Sequence, residues 1–259
     1  MAYTTIDKPS DYFEALLYTG DGSGNRDISG LDFQPDWVWI KDRANPGTTW
    51  HHVFDSTRGA NKPLNSNVTN TEGSVTTFPA FNSDGFRVNA GNLNTDTQTN
   101  VAWCWKANGG TTTSGAGNDT IATSTHQAST TSGFSIVTYT GEEANKTVKH
   151  GLSTALDMLL VKNRNSTKDW RMWFKGFSGT QRLELNNNEA KATTSTSWNG
   201  TVPGSSVFSL GDDTNTNTDG DNFIAYCFHS VKGFSSFGKY IGNGNNNGPF
   251  LYTGFKPAL

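Results

Sequence analysis

The sequence predicts an all-β protein: two tandem β-sandwich domains from an internal duplication, then the start of a third repeat. Three observations carry that expectation. The chain repeats itself, since residues 12–20 read YFEALLYTG, 134–141 read FSIVTYTG and 237–242 read FGKYIG. One constant spacing carries Tyr18 onto Tyr139, Lys41 onto Lys162 and Leu64 onto Leu185. Nearly the same spacing carries Ala102-Trp103-Cys104-Trp105 onto Ala225-Tyr226-Cys227-Phe228, and motifs in fixed order at fixed spacing point to duplication. Composition agrees: hydrophobic residues are only 33% while aromatics are 12%, so the core must lean on a few large side chains. The 28 glycines, with many Asn and Thr, suit short strands bounded by turns. Finally, no run of ten or more residues shows a 3.6-residue apolar period.

Taken in order, residues 1–11 read as a short polar arm. The first repeat spans 12–107, with strands expected at 12–18, 37–42, 50–54, 75–81, 85–89 and 101–106. Residues 108–133 carry almost no large apolar side chain, which is the composition of a linker. The second repeat spans 134–232, with strands at 134–140, 157–163, 170–174, 181–186, 205–209 and 221–229. In the tail, 233–259, Tyr240, Phe255 and Pro257 match Tyr18, Phe33 and Pro35. Either this tail completes the sheet of the second repeat, or the chain is part of a longer protein.

Two strands indicate how the core is built. Trp37-Val38-Trp39-Ile40 is apolar on both faces, so it should be central and covered on both sides. Val101-Ala102-Trp103-Cys104-Trp105 alternates small with very large, and Ile224-Ala225-Tyr226-Cys227-Phe228 keeps that alternation. The small face lets another layer approach closely, and the aromatic face fills space on the other side. Cys104 and Cys227 then read as buried thiols, not as a disulfide.

A net charge of −3 argues against a nucleic-acid binder held by phosphate contacts. No stretch approaches the ~20 apolar residues of a membrane helix, and MAYTTIDKPSDYF is not a secretory signal. Nucleophile elbows, zinc-binding HExxH, phosphate loops and paired CxxC motifs are all missing, so no catalytic residue is nominated. Asp213, Asn215, Asn217, Asp219 and Asp221 place oxygen ligands at alternate positions, as Ca²⁺ loops do. The glycine and the distal glutamate of an EF-hand are absent, since Thr218 and Ile224 stand there, so a polar hairpin loop is the preferred reading. Exposed aromatics flanked by Asn, Asp and Arg are what sugar-binding sandwiches use. On that basis Trp50, His52, Asp55 and Arg58, with Trp170, Arg171 and Trp198, are the candidate ligand-binding residues. The competing reading puts the tryptophans in the core.

The set YTGDG, GLDFQPDWVWIKDR, FDSTRGA, FNSDGF and VAWCWKANGG, followed by GFSIVTYTG and DNFIAYCFHSV, resembles repeated domains in structural proteins of tailed bacteriophages, especially those of marine bacteria. The resemblance covers nearly all of the chain after residue 11 and brings no catalytic residues. It implies a lectin-like sandwich of the jelly-roll or concanavalin kind, on a tail fibre, an appendage or another virion surface. The second repeat departs from it, with Met158 and Leu160 in place of Trp37 and Trp39, and FKGFSGT in place of FDSTRGA. The expectation is therefore a non-enzymatic virion protein that helps attach the particle to host-surface polysaccharide. It would contact other virion proteins and form a homo-oligomer, a trimer being favoured, with no membrane insertion. The alternative is a capsid decoration, cement or spacer protein without a host ligand. A glycan-degrading tail enzyme, which would need facing carboxylates, ranks last.

Overall fold

In the computed structural model, residues 4–45, 47–115 and 120–257 are described, and nearly all of their regular structure is β. The residues read from the sequence as the first repeat contribute β1 (Phe13–Thr19), β2 (Arg26–Ser29), β3 (Trp37–Asp42), β4 (His52–Asp55), β5 (Leu64–Asn65), β6 (Ala80–Asn82), β7 (Gly85–Val88) and β8 (Thr99–Trp105). Then come β9 (Thr113–Ser114) and β10 (Ser124–Ser129). Those read as the second repeat contribute β11 (Phe134–Thr140), β12 (Lys146–Lys149), β13 (Met158–Asn163), β14 (Arg171–Phe174), β15 (Gln181–Glu184), β16 (Ala192–Thr193), β17 (Val207–Leu210) and β18 (Asn222–Phe228).

These strands form two large sheets, each with a small partner sheet. The first large sheet runs β1-β8-β3-β4-β5, and the second contains β11-β18-β13-β14-β15 in corresponding order. The partner sheets are β2-β7-β6 and β12-β17. All the ladders between these strands are antiparallel. In each half the last long strand lies between the first and the third, so the small–large strand read from the sequence is an interior strand paired on both sides.

Alternation on those central strands sorts the core into layers. Ala102 and Cys104, with Val38, Ile40 and Phe54, face Ile28, Phe86 and Val88 of the small sheet in the first core. Ala225 and Cys227, with Val161 and Leu159, face Val148, Phe208 and Leu210 in the second. The opposite faces meet each other. Trp37, Val53 and Leu64 of the first repeat pack on Phe134, Ile136, Leu160, Trp170, Tyr226 and Phe228 of the second. The small side chains thus set the spacing inside each sandwich, and the aromatic ones fill the seam between sandwiches. Cys104 is fully buried, so Cys104→Phe should overpack the first core by about 1–3 kcal/mol. A variant with an unchanged melting temperature would place this strand wrongly.

Three expectations need correction. Residues 108–133 are not a tether, because β10 pairs along its whole length with β11 and β9 pairs with β10, extending the second large sheet. Thr, Ser and Gln with one buried side can serve as a strand near the sheet's edge, although their composition reads as loop; residues 116–119 lie outside the described set. The joint itself is tied down: Asp36 accepts hydrogen bonds from the backbone N–H groups of Ala107 (2.7 Å), Gly109 (2.9 Å) and Gly110 (2.8 Å). Gly109 and Gly110 both take positive φ to wrap that carboxylate. The N-terminal arm is likewise engaged, since Ile6 is buried and Lys8 pairs with Asp32 at 2.7 Å; residues 1–3 lie outside the described set. Lastly, among the described residues the tail after Phe237 forms no strand and completes no sheet, and residues 258–259 lie outside.

Candidate functional site

The side chains nominated for ligand binding are mostly used to hold the two repeats together. Asp55 ends β4 and Arg58 follows in the next turn, and both side chains are fully buried. Arg58 Nε donates to Asp55 Oδ2 (2.5 Å), Nη1 to Glu72 Oε2 (3.0 Å) and to the Lys62 carbonyl (2.8 Å), and Nη2 to the Val53 carbonyl (3.2 Å). From the second repeat, Tyr226 Oη donates to Asp55 Oδ2 (2.7 Å). Arg164 grips Glu72 with two bonds, at 2.8 and 2.9 Å. Burial pulls the Arg58 guanidinium down, but Asp55, Tyr226 and Glu72 more than reverse this and its net shift is upward. Burial raises the Glu72 carboxyl, but Arg164 and Arg58 hold it below the usual carboxylate range. This chain of paired charges crosses the seam and is closed to solvent at its centre.

The remaining nominees also turn inward. Trp170 is buried and its indole N–H donates across the seam to the Asn65 carbonyl (2.9 Å). Arg171 is buried among Glu184, Asp213 and Asp169, and Trp198 is buried with its N–H on the Gln181 carbonyl (3.2 Å). His52 is buried, with its ring nitrogens beside the side-chain amides of Asn65 (3.2 Å) and Asn92 (3.0 Å). Only Trp50 stays open, at 49% exposure. A sugar cannot stack on Trp170 or Trp198, and the core reading holds for those two.

The Ca²⁺ candidates are likewise committed to the fold. Asp213 caps the helical turn α1 (Thr214–Asn217) through the Asn215 N–H and also accepts from Ser197 and Arg171. Asn217 donates to the Ala144 and Gly211 carbonyls and accepts from the Glu142 N–H. Asn215 binds the Asp169 N–H, and Asp221 accepts from Asn163 and Ser166. Asp219 is exposed and makes no such bond among the described residues. The loop's oxygens therefore fasten β11 and β13 to the turn before β18, and among the described residues no cluster of three His, Cys, Asp or Glu is placed to hold a metal ion.

Two buried histidines give the protein a pH response. In the second repeat, His150 Nδ1 accepts from the Leu152 N–H (3.2 Å), while Nε2 lies 3.2 Å from the Gly204 carbonyl. The neutral ring satisfies both contacts; a proton on Nδ1 would face another N–H. Burial pushes both His150 and His52 down to about 4. An unfolded histidine titrates near 6.5, so between those values the unfolded chain binds more protons. Stability is fully present above about pH 6.5 and should fall as pH drops toward 4, by about 2–3 kcal/mol per histidine. The depressed carboxyls, Glu72 and Asp213 among them, act only in the carboxylate range below that window. Urea midpoints that are equal at pH 7.5 and pH 5 would refute this placement of the two rings.

What the two sheets leave open is an apolar cleft of about 770 Å³ at one side of the seam. Its walls are Trp39, Trp103 and Trp105 from the first sheet and Met158, Met172 and Phe174 from the second, with Phe234, Phe255 and Pro257 at its border. Trp39, Trp103 and Trp105 are half-buried. Trp39 sits edge-on to Trp103 at 6.1 Å, and its indole N–H donates to His51 Nδ1 (3.0 Å). Trp37, deeper in the wall, is buried, and among the described residues its indole N–H meets no acceptor. The cleft exists because the sheets cover each other only in part, leaving large rings of the seam face unpaired. It was missed from sequence, although the large positions of the two central strands were the available signal. The volume falls within the range of ligand and peptide sites, which are mostly apolar with few polar groups.

No curated protein and no solved structure matches this sequence. Residues 8–259 match one family model, described as a domain of unknown function, DUF7483; the match spans every strand described above, and the chain belongs to that family.

Proposed function

We propose that this chain is a non-catalytic structural protein of a tailed-bacteriophage virion, displayed on its surface, that meets its protein partners through the aromatic cleft. The observation that carries this reading is the cleft itself: half-buried tryptophans and methionines with few polar groups suit an apolar protein segment better than a sugar, which needs hydrogen-bond partners around its ring. The same proposal includes the duplication, supported by the matched strand orders. It is supported further by paired internal bonds: Tyr18 Oη to the Leu93 carbonyl (2.8 Å) and Tyr139 Oη to the Thr216 carbonyl (2.6 Å). The test is immunogold labelling of purified virions with an antibody to this chain. Gold on the tail, its fibres or the shell would support the reading, and unlabelled virions from producing cells would end it.

Attachment to a host glycan is the second reading, favoured by Trp50, which remains half-exposed on the loop before β4. A glycan array with the protein presented at high valency tests it, because weak single sites bind usefully only when multiplied. Binding lost in Trp50→Ala would favour attachment.

A further inference from the structure

We propose that the cleft seats the tail segment Phe250-Leu251-Tyr252 of a second copy of this chain, an inference that rests on reading the cleft as a protein-docking surface. The tail is written in core residues that have no core. Ile241, Phe250 and Tyr252 are 90%, 89% and 82% exposed. By the repeat spacing, Tyr240 corresponds to Tyr18 and Phe250 to Ile28, and both counterparts are buried in the first sandwich. Large apolar side chains grouped in solvent mark interaction surfaces.

The cleft is the matching vacancy, with Trp39, Trp103, Met158 and Met172 in its walls. Polypeptide already lies along its border, since Thr253, Phe255 and Pro257 of the same tail line it. That path leaves Phe250 and Tyr252 in solvent. One molecule therefore presents a cleft that its own tail only borders and, next to it, an apolar segment left in solvent, and two molecules can satisfy both by exchanging tails. If the exchange does not close into a ring, the same contact propagates as a chain of subunits.

The test is sedimentation of the full chain from low to high micromolar concentration, beside Phe250→Ser/Tyr252→Ser and Trp103→Glu. The expected result is a mass that rises with concentration for the unaltered chain and monomers for each variant alone. Mixing the two variants should restore association, because one keeps an intact cleft and the other an intact tail. A chain that stays monomeric, or a tail variant that associates like the unaltered protein, overturns the proposal. The tail residues are exposed, so that variant keeps its fold, and it allows a second measurement: a synthetic peptide of residues 247–257 should change its cleft tryptophan fluorescence saturably. No change overturns the proposal even if Trp103→Glu fails to fold. A monomeric chain that still labels virions defeats only the tail exchange; association without virion label defeats only the phage reading.

Discussion

Replacing Arg58 with leucine is expected to lower the unfolding free energy by about 3–5 kcal/mol, because it strands the buried Asp55 carboxylate beside the seam. Asp55 would keep Tyr226 as its donor and lose the guanidinium, and Glu72 would keep only Arg164. Had these groups been solvated, the loss would be under about 1 kcal/mol, so the magnitude alone decides whether they sit at a surface site or inside the seam. The double variant Asp55→Asn/Arg58→Leu should lose less than the sum of its single changes, since each removes the reason for the other. Equilibrium denaturation of the four proteins measures this, and additive losses would contradict the pairing.

Trp37→Ala is the other large effect, at about 3–5 kcal/mol for removing a buried aromatic. Its ring lies 4.4 Å from Trp105, 4.6 Å from Tyr226 and 5.6 Å from Phe134, so one side chain joins both repeats. The cavity would open on the seam and not within either sandwich. The loss should therefore appear as weaker coupling of the two halves, with the cores around Cys104 and Cys227 left packed. Hydrogen exchange should show faster opening of β3, β8, β11 and β18 while β7 and β17 keep their protection. Equal acceleration throughout would mean that Trp37 is not a seam residue.

The parts of the fold that were legible in the sequence are those where one residue type had one use. Trp37-Val38-Trp39-Ile40 could only be a strand covered on both faces, and its two faces do serve different layers. The alternation at Ala102–Trp105 and Ala225–Phe228 likewise fixed which face is thin and which is thick. Polar strands were illegible. Arg26-Asp27-Ile28-Ser29 and Lys146-Thr147-Val148-Lys149 each turn a single apolar residue inward, too little for a period to register. Ser124–Ser129 looked like linker because its inward positions are filled by Ser124, Gln127 and Ser129 and not by large apolar side chains. The candidate site failed for a different reason. Asp55 and Arg58 look alike in sequence whether they hold a sugar or each other, and the partner that decides, Tyr226, is in the other repeat. The cleft depends on how far one sheet overlaps another, a quantity no local pattern encodes.

The position of β8 and β18 has a consequence for synthesis. Each is the last long strand of its half and is inserted into the interior of its sheet, between the first strand and the third. Neither sheet can close until that strand has left the ribosome, and the tryptophan face of the first sheet has no cover until β11 through β18 have followed. At about 5–20 residues per second, the interval between the two central strands lasts on the order of 6–25 s. Through that interval a nascent chain displays adhesive rings to every neighbour on the same message. Expression yield should thus depend on elongation rate and on chaperone supply more than on the final stability of the folded pair.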